Sequence, residues 1–342
     1  MEQLILQYIE EQPEVLARVY ATAAEYSGIL QGMLPVPQVY LVGSGSSYNA
    51  CLAAGFAWFA AAAQVEVCEP YEFLLRSEKG LIKPGSLFVA VSQSGQSKAV
   101  LQAAAKAREV GCQTVGLAAS PKCALAEVVQ RLIPIACGEE QVGPKTKGYT
   151  ATAATLTFLP LLFQGEGRLG EVLEDSRAEM TRYLKERETI QALAADLKDV
   201  RFCYIIGSGP NLGTAREGAL KVMEIPKIPA LHFDVEEAMH GPLMSMTRDS
   251  FVVVISSGEV FTPREAALLD ILQHIGARGF HIGGGKILPL SQAHVPGDFQ
   301  AGNPITDIVP LQLLSCFLAM ERLGGEGELI YDRLYARTFT KL

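Results

Sequence analysis

The chain has 342 residues, 49% of them apolar and 19% charged, which is about twice the usual domain length and predicts two buried cores rather than a disordered or fibrous polymer. The net charge of −8 comes without any basic run, which excludes a nucleic-acid-tracking surface, while backbone N–H groups at helix N-termini still permit an anionic ligand. Seven cysteines, an odd number scattered without a CxxC pair, predict buried free thiols rather than a disulfide frame or zinc site. The first residues, Met1-Glu2-Gln3, lack the basic region of a secretory signal, so a cytoplasmic protein is expected.

In chain order, Met1 to Ile29 predicts a helix pair broken at Pro13. The most apolar stretch, Cys51 to Ala63 with Trp58, is too short to span a bilayer; it predicts a buried helix, and no membrane association is expected. A repeat then organises the chain. The strand-like run Val39–Val42 ends in Gly43-Ser44-Gly45, and Cys203–Ile206 ends in Gly207-Ser208-Gly209, 164 residues later. Leu87–Val91 ends at Ser92 and Phe251–Ile255 ends at Ser256, with the same 164-residue offset. A third pair, Gly111–Leu117 and Gly276–Ile282, follows at 165 residues.

Helices are predicted at Tyr48–Ala63 and Lys98–Val110 in the first half, and at Gly213–Glu224 and Pro263–Gly276 in the second. Continuous apolar strands alternating with helices predict parallel sheets covered on both faces. A charged helix, Glu171 to Lys198, joins the halves, and another, Asp307 to Leu323, comes late. The predicted organisation is a helical segment over 1–30, a first α/β domain over 31–170, a connecting helix over 171–198 and a second α/β domain with its tail over 199–342.

Ligands of open parallel sheets bind beyond the carboxyl ends of the strands, which directs attention to Gly43-Ser44-Gly45-Ser46-Ser47 and Ser92-Gln93-Ser94-Gly95-Gln96-Ser97. Hydroxyls, glycines and a helix N-terminus make a phosphate cradle; the plainer reading of the first loop is a capped strand-to-helix turn. A dinucleotide fingerprint is excluded, because Tyr48 stands where its third glycine belongs and only Glu66 approximates its acidic residue. The equivalent loops of the second half, Gly207–Asn211 and Ser256–Val260, carry fewer serines, so the halves are expected to be specialised.

Glu217, Lys221 and Glu224 fall at i, i+4 and i+7 on one helical face. Either this is a solvated ion-pair stripe, or, given the apolar flanks, a partly dry carboxylate beside an ammonium with a tuned pKa. His240 closes an acidic helix before Gly241-Pro242; His274, His281 and His294 are read as ordinary histidines.

Together these residues resemble the sugar isomerase (SIS) family, most closely the isomerase half of glucosamine-6-phosphate synthase and the stand-alone glucosamine-6-phosphate deaminases. The resemblance is carried by the motifs starting at Glu11, Gly45, Ser92, Gly138 (through Lys147), Glu217 (through Glu224), His240 and Pro310. It implies two tandem SIS domains, each a three-layer α/β/α sandwich with a mainly parallel, flavodoxin-like sheet. It also implies that Ser46, Ser47, Ser92, Gln93, Ser94 and Ser97 bind a sugar phosphate, that Gly143 and Lys145 touch the sugar, and that Glu224 moves a proton between C1 and C2. Lys221 and Glu217 would assist, and His240, donated by a neighbouring subunit, would open the ring.

The implied protein is a homodimer with a shared active site that takes a phosphorylated sugar or amino sugar, with no metal and no cofactor. It would be an isomerase or isomerising deaminase of a hexose or hexosamine 6-phosphate working through an enediol or enolamine. A fructosamine-6-phosphate deglycase and a non-catalytic sugar-phosphate-binding regulator are the alternatives. The family's imine-forming lysine aligns with Arg337, with Lys341 as the nearest substitute, and arginine cannot form an imine. Lys145 replaces a serine, and Pro229-Ala230-Leu231 replaces a stretch with histidine and glutamate. No glutamine-hydrolysing domain is expected, which excludes glutamine as the ammonia source.

Overall fold

The structure, a computed structural model, describes residues 1–30, 32–33, 35–60, 62, 64–162, 166–293 and 302–323; His294, Arg337 and Lys341 lie outside them. Helices α1 (Glu2–Glu10) and α2 (Gln12–Leu30) come first. The first sheet is then built from β1 (Val39–Gly43), α3 (Ser46–Ala54), β2 (Val65–Cys68), α4 (Pro70–Glu78), β3 (Leu87–Val91), α5 (Lys98–Glu109), β4 (Gln113–Ala118), α6 (Ala124–Val128) and β5 (Arg131–Pro134), followed by α7 (Lys147–Leu161). Helices α8 (Glu166–Lys185) and α9 (Arg187–Asp196) lead to the second set: β6 (Cys203–Ile206), α10 (Asn211–Glu224), β7 (Ala230–Phe233), α11 (Val235–Met239), β8 (Phe251–Ile255), α12 (Thr262–His274), β9 (Arg278–Gly283), β10 (Lys286–Pro289) and α13 (Ile308–Leu323).

These elements form two compact units. One comprises Glu14–Glu140 and Lys147–Leu173; the other comprises Met1–Pro13, Gln141–Thr146 and the described residues from Glu174 onward. The first sheet is parallel throughout, in the order β2-β1-β3-β4-β5. The second runs β10-β9-β8-β6-β7, the same order read from the other edge. Two flavodoxin-like α/β domains are therefore present, as the repeat predicts.

They part at the fifth strand. In the first sheet β4 crosses over through α6 to a parallel β5; in the second, Gly284 and Gly285, with φ of 59° and 78°, close a tight hairpin that returns β10 antiparallel to β9. The central strands β1, β3 and β8 are buried at every residue, which is why they read as unbroken apolar runs. Tyr40, Phe73 and Phe88 pack edge-on in the first core, with ring centroids 5.4 Å and 4.6 Å apart.

Some predicted elements differ. The helix expected over Tyr48–Ala63 stops at Ala54 and continues as a 3₁₀ turn over Gly55–Ala60. There Gly55 lies so close to β2 that a Cβ on it would meet Val67 Cγ2 at 3.1 Å. The charged stretch Glu171–Lys198 is helical but divides at Glu186 into α8 and α9, and the break expected at Pro13 falls at Glu11, so Pro13 sits in the first turn of α2, where it is tolerated. The seven cysteines are free and buried; burial pushes Cys112 up to about 11 and Cys68 up to about 12, with acidic neighbours reinforcing the latter. Among the described residues no helix is long and apolar enough to cross a membrane.

The duplicated Gly-Ser-Gly turn has the same cause in both halves. A Cβ on Gly43 would lie 2.9 Å from the Ser47 carbonyl carbon, and one on Gly207 would lie 2.7 Å from the Asn211 oxygen, so each helix is seated against its strand through a missing side chain. Gly45 and Gly209 then turn through left-handed φ of 57° and 53°. Gly43→Ala is expected to cost about 1–3 kcal/mol in denaturant unfolding, because α3 has to move; a variant of unchanged stability would show that α3 is not seated in this way.

Candidate active site

Strands β1 and β3 are neighbours, with Gly43 opposite Val91, and they are the pair at which the first sheet reverses its order, the position where such sheets take ligands. Both serine loops leave from these strand ends. The structure thus brings Ser46 and Ser47 to the same sheet edge as Ser92, Gln93, Ser94 and Ser97. Neither Gly45 before α3 nor Ser97 before α5 makes a side-chain cap, and the positive ends of both helix dipoles face this edge.

Ser94 is exposed, Ser46, Ser47, Gln93 and Ser97 are half-buried, and Ser92 is buried. A tight turn shapes the second loop: Gly95 N–H donates to Ser92 O (2.8 Å) and Gln96 N–H to Ser94 Oγ (3.3 Å). The Gln93 side chain lies over Gly148, where a Cβ would come within 2.0 Å of its Nε2, so the start of α7 orients it. Gly143 and Lys145 belong to the other unit, where Lys145 Nζ donates to Val142 O at 2.7 Å.

The corresponding edge of the second sheet is filled by the chain itself. Ser208 is fully buried; its N–H donates to Ser257 Oγ (2.8 Å), its Oγ accepts from Val235 N–H (2.9 Å), and Ser257 N–H donates to Glu265 Oε1 (2.8 Å). Asn211 Nδ2 donates to Ser256 O (2.8 Å) and Asp307 Oδ2 (3.1 Å), and Tyr183 OH donates to Asp307 Oδ1 (2.6 Å). Gly302 is threaded into this network, since a Cβ there would stand 2.0 Å from Ser256 O and 2.3 Å from Asn211 Nδ2. Desolvation, aided by Glu179, holds Asp307 well above the usual carboxylate range. Where the first sheet presents hydroxyls, the second presents its own carboxyl groups.

On α10, Glu217 and Lys221 are fully buried, and the Glu224 side chain is 27% exposed. Lys221 Nζ lies 3.2 Å from Glu217 Oε1 and is ion-paired with Glu224 Oε2. Burial alone would lower the Lys221 pKa, but Glu217 and Glu224 outweigh it and hold the ammonium above the ordinary lysine value. The solvated-stripe alternative is thereby excluded, since two of its three residues are out of solvent; on another side α10 packs so closely on α13 that a Cβ on Gly218 would meet Leu311 Cδ1 at 2.5 Å.

His240 ends α11 with 68% of its side chain exposed. Its Nδ1 lies 2.9 Å from Glu236 O; a carbonyl only accepts, so Nδ1 is the donor of this bond. The Glu236 carboxylate, held by Arg264 Nε at 2.8 Å, stands 3.7 Å from the same ring. These partners lie on α11 and α12, not on α10, so within this unit His240 is organised separately from the Glu217–Lys221–Glu224 row.

Sequence reasoning missed Asp307, Glu265 and Asn211. Only Asn211, directly after Gly207-Ser208-Gly209-Pro210, stood in a motif that invited a role. Glu265 is testable on its own. Desolvation raises it to about 7 against hydrogen bonds from Ser257 that lower it, and its Oε2 has no hydrogen-bond partner. Because its folded pKa exceeds the unfolded one, stability present below pH ~4.5 declines as pH rises to about 7. Glu265→Gln should therefore match the parent near pH 4 and exceed it by up to about 3 kcal/mol at pH 8; denaturant midpoints across that range check this, and a constant difference would contradict it.

With this geometry in hand, the chain can be placed among known proteins. The model of the SIS domain matches residues 33–162 and 196–321, and the chain belongs to the SIS domain family. It is 28% identical over 339 residues to the glutamine–fructose-6-phosphate aminotransferase (isomerizing) of Pyrococcus horikoshii, covering 93% of this chain and 55% of that protein. To the same enzyme of Pseudomonas putida it is 29% identical, covering 92% and 56%; the chain thus spans about half the length of these relatives. Among solved structures, the C-terminal domain of glucosamine-fructose-6-phosphate aminotransferase from Francisella tularensis shares the fold with a TM-score of 0.80 at 22% identity, over 93% of this chain and 96% of that one. Glucosamine-6-phosphate deaminase from Thermotoga maritima does so at 0.74 and 20%, over 93% and 94%.

Proposed function

We propose that this protein is an enzyme that rearranges a hexose or hexosamine 6-phosphate at C1 and C2 by proton transfer, with the serine loops taking the phosphate and Glu224 moving the proton. The observation that carries this reading is the Lys221 ammonium buried between two carboxylates. It fixes one oxygen of Glu224 and leaves the other for a ligand, the arrangement a carbon acid–base requires. Glu224 would take a proton from one carbon of the open-chain sugar and return it to the next through a cis-enediol or enolamine. His240, whose side chain is 68% exposed, suits ring opening, contributed by a second copy of the chain in a homodimer. The aminotransferases named above and the deaminase of T. maritima carry phosphosugar names that agree with this class.

Glu224→Gln should reduce turnover of hexose and hexosamine 6-phosphates by at least about 10³-fold while sugar-phosphate binding persists in thermal-shift assays. Activity retained within tenfold would remove Glu224 from the mechanism. Binding by the parent without turnover of any phosphosugar would favour the regulator instead. For the cradle, Ser94→Ala with Ser97→Ala should weaken phosphorylated ligands far more than their unphosphorylated parents, measured by calorimetry; equal losses would place the phosphate elsewhere.

A further inference from the structure

Gly148 is the second residue of α7, a place where glycine weakens a helix relative to alanine. Its backbone asks for no special freedom, because its φ is not left-handed. Its peptide groups are pinned, the N–H donating to Glu140 Oε2 (3.1 Å) and the carbonyl accepting from Thr152 Oγ1 (2.7 Å). The missing side chain makes room for one residue: the three atoms nearest to a Cβ at this position all belong to Gln93, Nε2 at 2.0 Å, Cδ at 2.6 Å and Oε1 at 2.7 Å.

Gln93 is thereby held at its backbone and at its tip. Its carbonyl accepts from Ala119 N–H (2.8 Å), its Nε2 donates to Sγ of the fully buried Cys137 (3.8 Å), and its carboxamide rests on Gly148. All of these residues belong to the first unit. Among the described residues Oε1 receives no hydrogen bond, and the residue is only half-buried.

That remaining atom decides the chemistry. An amide oxygen only accepts. The oxygens of a phosphate monoester dianion also only accept, so the phosphate has nothing to offer Oε1 and is better met by hydroxyls and backbone N–H groups. A sugar hydroxyl can donate.

We propose that Gly148 is a positioning residue that seats the Gln93 carboxamide with its nitrogen inward, so that within the Ser92–Ser97 loop Gln93 takes a hydroxyl of the sugar while the serines take its phosphate. This rests on the reading of the serine loops given above and divides their task. A methyl group at position 148 would displace the carboxamide and lose the hydroxyl contact, leaving the phosphate contacts in place.

Dissociation constants at pH 8 for two probes test this, by calorimetry directly or in competition. One probe is methyl phosphate, there a dianion without a hydroxyl; the other is the hexose or hexosamine 6-phosphate that the parent turns over. Gln93→Ala should weaken the sugar phosphate about tenfold, the scale of one hydrogen bond, and methyl phosphate by less than about twofold. Gly148→Ala should reproduce that split. Added to Gln93→Ala it should cost no further affinity, and it should raise the denaturant midpoint, since the helix gains a better former with nothing in its way. No loss in Gln93→Ala, or equal losses for both probes, overturns the proposal; Gln93 is a loop residue, so this comparison decides the matter even where Gly148→Ala does not fold. Parental affinities in Gly148→Ala, or a double variant weaker than either single one, overturn it as well. Each of these results leaves the proposed function standing, because the parent still turns over its sugar phosphate. A parent that turns over no hexose or hexosamine 6-phosphate removes both.

Discussion

The feature on which the second unit is organised is an ammonium taken out of water. Lys221 is fully buried, and moving such an ion into a protein interior costs several kcal/mol unless charges of opposite sign are placed against it. Glu217 and Glu224 supply them, one from a full turn before and one from the following turn of the same helix, so the three cannot be separated without unfolding α10. A purely structural helix would have packed apolar residues here at less expense, since buried ion pairs are poor sources of stability. What the arrangement secures is a carboxylate held through one oxygen by Lys221 on a side chain that is still partly exposed.

The rest of that unit serves to keep this helix in place. The first residue of α10, Asn211, is tied to the Ser256 carbonyl and to the buried Asp307, and its middle is pressed against α13. In the first unit the equivalent sheet edge carries the serines of two loops, Ser94 exposed and Ser46, Ser47 and Ser97 half-buried. The Gly-Ser-Gly turn meets the same steric requirement in both halves, while the space in front of it differs. In one half it receives an anion from outside, according to the proposed function, and in the other it is closed by internal carboxyl groups.

Much of the fold was legible because buried parallel strands are continuous apolar runs and because the chain repeats at a fixed spacing; β1, β3, β6 and β8 fall where the sequence places them. The edge strands β2, β5, β7 and β10 are four residues each and mix charged or polar residues such as Glu66, Arg131, His232 and Lys286 into the pattern, so no apolar run announces them. Helix α7 was missed for the opposite reason. It is buried all round, which erases amphipathic periodicity, and it is rich in threonine, whose hydroxyls instead bond back to carbonyls one turn earlier, as Thr152 does to Gly148 and Thr155 to Ala151. The α10 row was visible as spacing, but its burial was not, because α13, which covers that helix, begins almost a hundred residues beyond Asn211. Gly148 left no mark in the sequence, since a helical glycine does not announce which side chain fills its place, and here that side chain comes from a distant loop.

The two ends of α10 are held by different means. Its amino end is tied by the Asn211 side chain to Ser256 and Asp307, whereas its carboxyl end runs into a short turn bounded by Pro226 and Pro229, in which Lys227 and Pro229 are exposed. Such a helix behaves like a lever fixed at one end with an interchangeable tip. Substitution of the exposed residues Lys227, Pro229 and Leu231 can alter the surface beside Glu224 without disturbing the anchor, which, on the proposed function, would give this scaffold a route to new substrates.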